Sequence, residues 1–259
     1  MYPANAFSLM GKTALVAGAS RGIGLAIARQ IAAAGARTLL ASRNYAALEK
    51  HATELRDQGY AAVPMGLDIA DPSSVDRLAS QAGHVDILVN VSGINVRKQF
   101  HRYTEEEYEG IMRTNLDGVA RLTKKVGAAM IERGQGGKIV MIGSLMSLLG
   151  LPYVAVYAMT KSALAGLTRA LAAEWGRFNI QINCIAPGFI LTDLNRDMWQ
   201  EEKMQGWLKS VQALPRMGTP EDVAPLALFL CAPASDYITG QVIAVDGGYT
   251  TTAVWPFEP

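Results

Sequence analysis

From Thr13 to Val245 the chain alternates short, mostly apolar runs with longer stretches in which apolar residues return every three or four positions. The short runs are Thr13–Ala17, Arg37–Ala41, Ala61–Gly66, Val85–Val89, Lys138–Ile142, Gln181–Ile185 and Gln241–Val245, and they predict strands. Helices are predicted over Gly22–Ala34, Tyr45–Gln58, Ser73–Gln81, Thr104–Arg133 (long enough for two) and Val154–Phe178. Strands that are apolar on both faces need cover on both faces, and helices between them supply the crossovers of a parallel sheet. The expectation is a Rossmann-type, doubly wound α/β fold with a seven-stranded parallel sheet. No repeat, low-complexity tract or Pro/Ser-rich linker interrupts the pattern, so residues 1–259 are read as one domain.

One segment breaks the alternation. Thr192–Arg216 is long, carries Met198, Trp199, Met204, Trp207 and Leu208, and lies between the sixth and seventh predicted strands. A doubly wound sheet places its ligand beyond the carboxyl ends of its strands. A mobile substrate lid over about 189–216 is therefore expected, against the alternative of a fixed excursion that packs its own aromatics. The tail Tyr249–Pro259 carries Trp255 and Phe257, and is expected to dock on a neighbouring subunit.

Between the first strand and the first helix runs Gly18-Ala19-Ser20-Arg21-Gly22-Ile23-Gly24. Gly18 permits a tight turn, while Gly22 and Gly24 let backbone come close to a pyrophosphate and let helix pack on strand. The helix N-terminus adds free amides and a dipole of the right sign. The spacing is G-x-x-x-G-x-G rather than the general G-x-G-x-x-G, so the turn's position between strand and helix carries the reading. The second strand ends in Ser42-Arg43-Asn44, with no carboxylate to accept from a ribose 2′-hydroxyl. The Arg43 guanidinium can hold a 2′-phosphate, with Ser42 adding a hydroxyl and Arg21 reaching the same group. NADP(H) is expected as the preferred cofactor, with NAD(H) as the alternative.

Tyr157 and Lys161 stand four residues apart on one face of a predicted helix, and Ser144 follows the fifth strand. A phenol ordinarily ionises near pH 10, so proton exchange at neutral pH requires roughly 3–4 kcal/mol of phenolate stabilisation. One positive charge at ~4 Å supplies about 4 kcal/mol at an effective dielectric of 20. Lys161 alone is of that order, and an oxidised nicotinamide would add to it. The Ser144 hydroxyl can hold a carbonyl oxygen or alkoxide against Tyr157. Exposed Tyr–Lys pairs at this spacing are commonplace, so the pair gains weight only from its company.

From Leu9 to about Gly248 the chain resembles the short-chain dehydrogenase/reductase family. The likeness rests on the glycine turn, Asn90-Val91-Ser92-Gly93, Asn115, Ser144, Tyr157-Ala158-Met159-Thr160-Lys161, Pro187-Gly188 and Val245-Asp246-Gly247-Gly248. It implies that Ser144 orients substrate, Tyr157 is the general acid/base, and Lys161 binds the nicotinamide ribose and stabilises the phenolate. It implies further that Asn115 helps hold a proton-relay water beside Lys161, that Asp68 and Ile69 lie against adenine, and that Asn90 and Gly93 line the cofactor cleft. Pro187, Gly188 and Thr192 would meet the nicotinamide end. Where the family commonly has Asn-Asn-Ala-Gly, this chain has Asn90-Val91-Ser92-Gly93, which alters local contacts and leaves the acid/base group alone.

Bulk properties narrow the field. Lys and Arg number 24 against 23 Asp and Glu, for a net charge of +1, which gives no footprint for nucleic acid or anionic membrane. Half the residues are hydrophobic, yet no apolar stretch reaches membrane-spanning length. Cys184 and Cys231 are too few and too distant for a disulfide framework, and His51, His84 and His101 lack metal-ligand spacing. No secretory signal is visible before Gly11, and a cytoplasmic protein is expected. Cys184 reads as a buried strand thiol, His101 as a surface histidine, and Glu105-Glu106-Glu107 as a helix start. Asp193 and Asp197 could bond a polyhydroxy substrate but read as solvated carboxylates.

The substrate is expected to be a small-molecule ketone or secondary alcohol. Gluconate 5-dehydrogenase-like and 3-oxoacyl carrier-protein reductase-like subgroups are the near alternatives. Arg97, Lys98 and Arg102 could form a basic patch for an acidic carrier protein, whereas the apolar lid favours a hydrophobic ketone. Apolar surplus on Asp117–Arg133 and Val154–Phe178 points to a homotetramer, as in the resembled family. A non-catalytic cofactor sensor would have no need of Ser144, Tyr157 and Lys161 together.

Overall fold

Alternate residues of the central strands feed two different cores. In β1 (Thr13–Ala17), Val16 faces one side of the sheet and Leu15 the other; Leu40 and Leu39 do the same in β2 (Arg37–Ser42), and Val140 and Ile139 in β5 (Gly137–Ile142). On the first face lie α1 (Gly22–Ala33), α2 (Tyr45–Asp57) and α8 (Pro220–Cys231), which contribute Ile27, Ile31, Leu48, Val223 and Leu230. The second face is covered by α3 (Pro72–Gln81), α5 (Gly118–Arg133) and α6 (Ala155–Trp175), with Leu78, Leu122, Leu164 and Trp175. The computed structural model describes residues 6–192, 197, 199 and 201–252.

Seven parallel strands form one sheet in the order β3-β2-β1-β4-β5-β6-β7, where β3 is Ala62–Gly66, β4 Ile87–Asn90, β6 Ile180–Pro187 and β7 Val242–Val245. The expected doubly wound fold and strand count are thus observed. β1 and β4 are neighbours although two strands separate them in sequence, so the chain reverses direction across the sheet there. That switch point opens a crevice at the strands' carboxyl ends. Only the edges β3 and β7 are half-exposed, and Pro64 sits on an edge, where its missing donor costs least.

Thr104–Arg133 is divided less sharply than the pattern suggests. The helix α4 (Glu105–Met112) runs through a widened π turn at Arg113–Asp117 into α5. Helix α8 was not among the helices predicted from the alternation. Pro220 stands in the first turn, where no amide is needed, and Pro225 is exposed. The segment between β6 and α8 leaves and returns through one neck: Ile190 and Gly218 form a parallel bridge, with Leu191 N donating to Gly218 O (2.8 Å) and Gly218 N to Phe189 O (3.0 Å). Helix α7 (Glu202–Val211) stands on that neck. Asp193, Met198, Trp255 and Phe257, named in the sequence reading, lie outside the described residues.

Candidate active site

The turn after β1 is shaped by the absence of side chains. Gly18 has φ of +101°, and a Cβ there would stand 2.8 Å from the Ser92 amide nitrogen. That contact lets the chain after β4 lie against the turn, with Val91 N and Ser92 N both donating to Ala17 O. A Cβ on Gly24 would run into the Gly18 carbonyl oxygen, so α1 starts in direct contact with the turn. Gly22 lies 3.5 Å, measured from the position of a Cβ, from the methyl of Thr192 across the crevice. Ser20 is half-buried and Ile23 packs against the first core.

Helix capping separates α1 from most of the others. Asn44 caps α2, Asp71 caps α3 and Thr104 closes a capping box on α4. At α1 the cap position is Arg21, which offers no side-chain acceptor, and the first turn holds no acid. Its opening amides are therefore left for an anion. Arg21 and Arg43 are both exposed and make no side-chain ion pair or hydrogen bond among the described residues. Ser42 Oγ accepts from Asn44 N (3.2 Å), which leaves its proton to donate. Asp68 is anchored by Ser74, whose Oγ accepts from its backbone amide (2.9 Å), and its Oδ1 accepts from Ala70 N (3.0 Å). Ile69 belongs to the second core and pins α5, because a Cβ on Gly118 would strike its carbonyl.

The Asn90 side chain is buried, donating to Thr123 Oγ1 (3.0 Å) and towards Met141 Sδ (3.3 Å), so its amide secures the end of β4. At Gly93 the position of a Cβ is 3.5 Å from Asn115 Oδ1 and 3.6 Å from Lys161 Nζ.

Asn115, fully buried in the π turn, is clamped to the backbone of Ile94. Its Oδ1 accepts from Ile94 N (2.8 Å), while its Nδ2 donates to Ile94 O (2.8 Å) and to Thr160 Oγ1 (3.3 Å). Thr160 Oγ1 donates in turn to Tyr157 O (2.8 Å), tying the π turn to α6. Lys161 is 3% exposed, donates to Ile142 O (2.7 Å) and stands 5.5 Å from the centre of the Tyr157 ring. Ser144 opens the loop after β5 and is half-exposed at the same end of the sheet.

Tyr157 also borders a third, smaller apolar cluster. Leu145, Met146 and Val154 form its buried part, with Leu149, Leu151, Phe189 and Tyr249 packed on it. Phe189 is the hub of four rings: its centre lies 5.3 Å from Trp199, 5.3 Å from Trp207 and 5.0 Å from Tyr249, the last edge-on. Tyr249 is held by Asp246, whose carboxylate accepts from Gly248 N (3.0 Å), Thr250 N (2.8 Å) and Thr250 Oγ1 (2.7 Å). Pro187 and Gly188 end β6 beneath this group, and a Cβ on Gly188 would lie 2.6 Å from Asp246 Cα. In the sequence Phe189 is only the first residue of the expected lid and Tyr249 the first of the expected docking tail, and neither is a candidate site residue. The only signal was their place, one just after Pro187-Gly188 and the other just after Gly247-Gly248.

Other sequence readings are settled by contacts. Cys184 is a buried strand thiol pushed up by burial, and His101 is exposed in a short turn. Lys98 is spent on Glu107, reaching both carboxylate oxygens at 2.7 Å, and this ion pair holds Glu107 below the usual carboxylate range. No cluster of metal-ligating residues occurs among the described residues, and none of their helices is long and apolar enough to cross a membrane.

Residues 18–250 match the family model described as enoyl-(acyl carrier protein) reductase. A tropinone reductase homologue of Arabidopsis thaliana is 39% identical over 249 residues, covering 94% of each chain. Gluconate 5-dehydrogenase of Gluconobacter oxydans is 37% identical over 95% of this chain and 97% of its own. Among solved structures, a gluconate 5-dehydrogenase from Burkholderia cenocepacia in complex with NADP and tartrate superposes with a TM-score of 0.90. It is 38% identical and the match covers 96% of this chain and 99% of that one.

Proposed function

The chain belongs to the short-chain dehydrogenase/reductase family of oxidoreductases, and from that premise we propose that it is an NADPH-dependent reductase of small or medium apolar ketones. The reaction interconverts a secondary alcohol and a ketone, and the cofactor when bound supplies or accepts the hydride. The single observation that carries the substrate choice is the apolar cluster that borders Tyr157, with Phe189 and Tyr249 as its outer wall.

The glycine turn fits a dinucleotide because its close contacts exclude side chains and the first amides of α1 are uncapped. Those amides, with Ser20 and Gly22–Gly24, would hold the pyrophosphate. Arg43, Arg21 and Ser42 would take the 2′-phosphate, Asp68 the adenine edge, and Pro187, Gly188 and Thr192 the nicotinamide end. NADP in the Burkholderia relative supports this choice over NAD. Lys161, beside Gly93 and Asn115, would bind the ribose and keep the phenol of Tyr157 poised for proton exchange. Ser144 would hold the substrate oxygen against that phenol, and Asn115 would hold the relay water that refills it. In reduction, Tyr157 gives its proton to the carbonyl oxygen as the carbon gains hydride; oxidation reverses both transfers.

A sugar acid, such as the Gluconobacter and Burkholderia relatives are named for, would need a cation for its carboxylate. An acidic carrier protein would need the basic patch, where Lys98 is already paired with Glu107. Both readings therefore rank behind the ketone. The segment at 189–216 acts as a lid on the neck at Ile190 and Gly218. The two cysteines, buried and unpaired, suit a cytoplasmic protein; burial pushes Cys231 up to about 12. Ala170, exposed, and Ala163 and Gly166, half-buried, leave small residues on the uncovered side of α6, a smooth surface that suits a homotetramer, which light scattering would read directly.

One panel tests the whole reading: initial rates with NADPH and with NADH on acetophenone, 5-ketogluconate and acetoacetyl-N-acetylcysteamine. Acetophenone with NADPH is expected to be fastest, and the Arg43→Asp variant should raise the NADPH KM at least tenfold and favour NADH. A faster rate on 5-ketogluconate would overturn the substrate class. Unchanged cofactor preference in Arg43→Asp would overturn the 2′-phosphate site.

A further inference from the structure

The end of β5 and the loop after it, which carries Ser144, are fastened to α6 by three side-chain hydrogen bonds: Lys161 Nζ to Ile142 O (2.7 Å), Ser162 Oγ to Met146 O (2.9 Å) and Ser147 Oγ to Lys161 O (2.8 Å). Of these groups, only Ser147 also touches Ser144, whose backbone N–H donates to Ser147 Oγ at 3.3 Å. A serine hydroxyl has one proton. Donated to the Lys161 carbonyl, it leaves the oxygen's lone pairs facing the Ser144 amide, so the bridge has one sense only. It runs from the main chain of Ser144 to the main chain of Lys161.

Space for the bridge comes from Gly143. A Cβ at that residue would lie 2.6 Å from Ser147 Oγ and 2.7 Å from Cys184 Sγ. Its φ is not in the left-handed region, so the backbone itself does not call for glycine there. What glycine provides is room for the Ser147 hydroxyl beneath the loop.

We infer that Ser147 is a positioning residue for the reaction: its hydroxyl fixes the separation between Ser144 and the turn of α6 that bears Tyr157 and Lys161. Ser147 touches neither substrate nor cofactor and acts through Ser144. The inference rests on the assignment of Ser144 as the group that holds the substrate oxygen. A reacting atom displaced by a fraction of an ångström costs rate more than binding. The effect should therefore fall on kcat and leave the NADPH KM alone.

Ser162 provides the control, because it makes a comparable bond from loop to helix without reaching Ser144. Ser144→Ala, Ser147→Ala, Ser147→Thr and Ser162→Ala are compared with wild type by kcat, NADPH KM and thermal midpoint, on whichever of the three panel substrates wild type reduces fastest. Ser147→Ala is expected to lose about tenfold in kcat with NADPH KM within twofold, while Ser147→Thr, which keeps the hydroxyl, stays within about threefold of wild type. Ser162→Ala should match the loss of thermal midpoint and keep kcat within about twofold. Equal kcat for Ser147→Ala and Ser162→Ala, or a Ser147→Thr as slow as Ser147→Ala, overturns the inference while a crippled Ser144→Ala leaves the site assignment standing. Wild-type turnover by Ser144→Ala overturns both.

Discussion

The two ends of the crevice are built by opposite means. At the cofactor end, Gly18, Gly22 and Gly24 make the site by having no side chains, and the groups on offer are backbone amides. At the other end, Phe189, Trp199, Trp207 and Tyr249 make it by filling space with packed rings. In the proposed function the first design takes what every reaction of the family shares, a pyrophosphate, and the second takes what differs from one member to the next. Helix α6 belongs to neither, and in that proposal its Tyr157 and Lys161 carry the chemistry between them.

The largest effect should come from that middle ground. Tyr157→Phe keeps the ring against Leu145 and Met146 and removes only the phenolic proton. Turnover should fall by about a thousandfold or more, with NADPH affinity unchanged. Stopped-flow assays with fluorescence titration of NADPH would check it, and surviving turnover would show that the acid/base group lies elsewhere. Next in size is Gly24→Ala. Its methyl has nowhere to go, since the obstacle is the Gly18 carbonyl and not a flexible side chain. NADPH affinity should drop about a hundredfold, with a stability loss of roughly 2–3 kcal/mol by overpacking. Wild-type affinity in that variant would deny the turn its role.

Phe189→Ala is the counterpart at the other end, and it should separate the two designs. Removing the hub of the aromatic group should cost about 2 kcal/mol of stability and raise the KM for acetophenone about tenfold. NADPH affinity should hold within twofold. If it fell as far as in Gly24→Ala, the two ends would not be independent.

The same contrast explains what was legible in the sequence. A turn that depends on missing side chains is written in adjacent residues, so Gly18–Gly24 could be read directly. Tyr157 and Lys161 were legible because a helix places residues four apart on one face. The strands were legible because a covered sheet demands apolar residues on both faces, although the edges β3 and β7 are only half-buried. The aromatic quartet was not, since Phe189 and Tyr249 are sixty positions apart and meet only after β7 has paired with β6. Asn90 and Ile69 show a subtler limit: a motif names a residue and says nothing of its side chain, which is buried in both. The Ser147 bridge was invisible for a similar reason, because a serine three residues after another serine announces nothing until α6 is packed beside it.

The smallest effect tests whether the substrate end is fixed by charge as well as by packing. Arg216, beside the neck at Gly218, grips Asp222 of α8 through two bonds, Nη1 to Oδ2 at 2.7 Å and Nη2 to Oδ1 at 2.8 Å. The guanidinium, helped by the Thr219 amide, holds the Asp222 carboxyl well below the usual carboxylate range. Because the folded-state value is depressed, the stabilisation is fully present above the unfolded value of about 3.9 and is lost as pH falls through the folded one. Arg216 is 58% exposed and Asp222 32%, so solvent screening keeps the contribution small. Asp222→Asn retains an oxygen for the cap and removes the charge. Urea titrations should show wild type ahead of the variant by a constant small margin from pH 7 down to about 5, narrowing below about 4. The margin should also shrink in 1 M salt. A margin that stayed constant into acid would mean that Asp222 stabilises the neck by its shape and not by its charge.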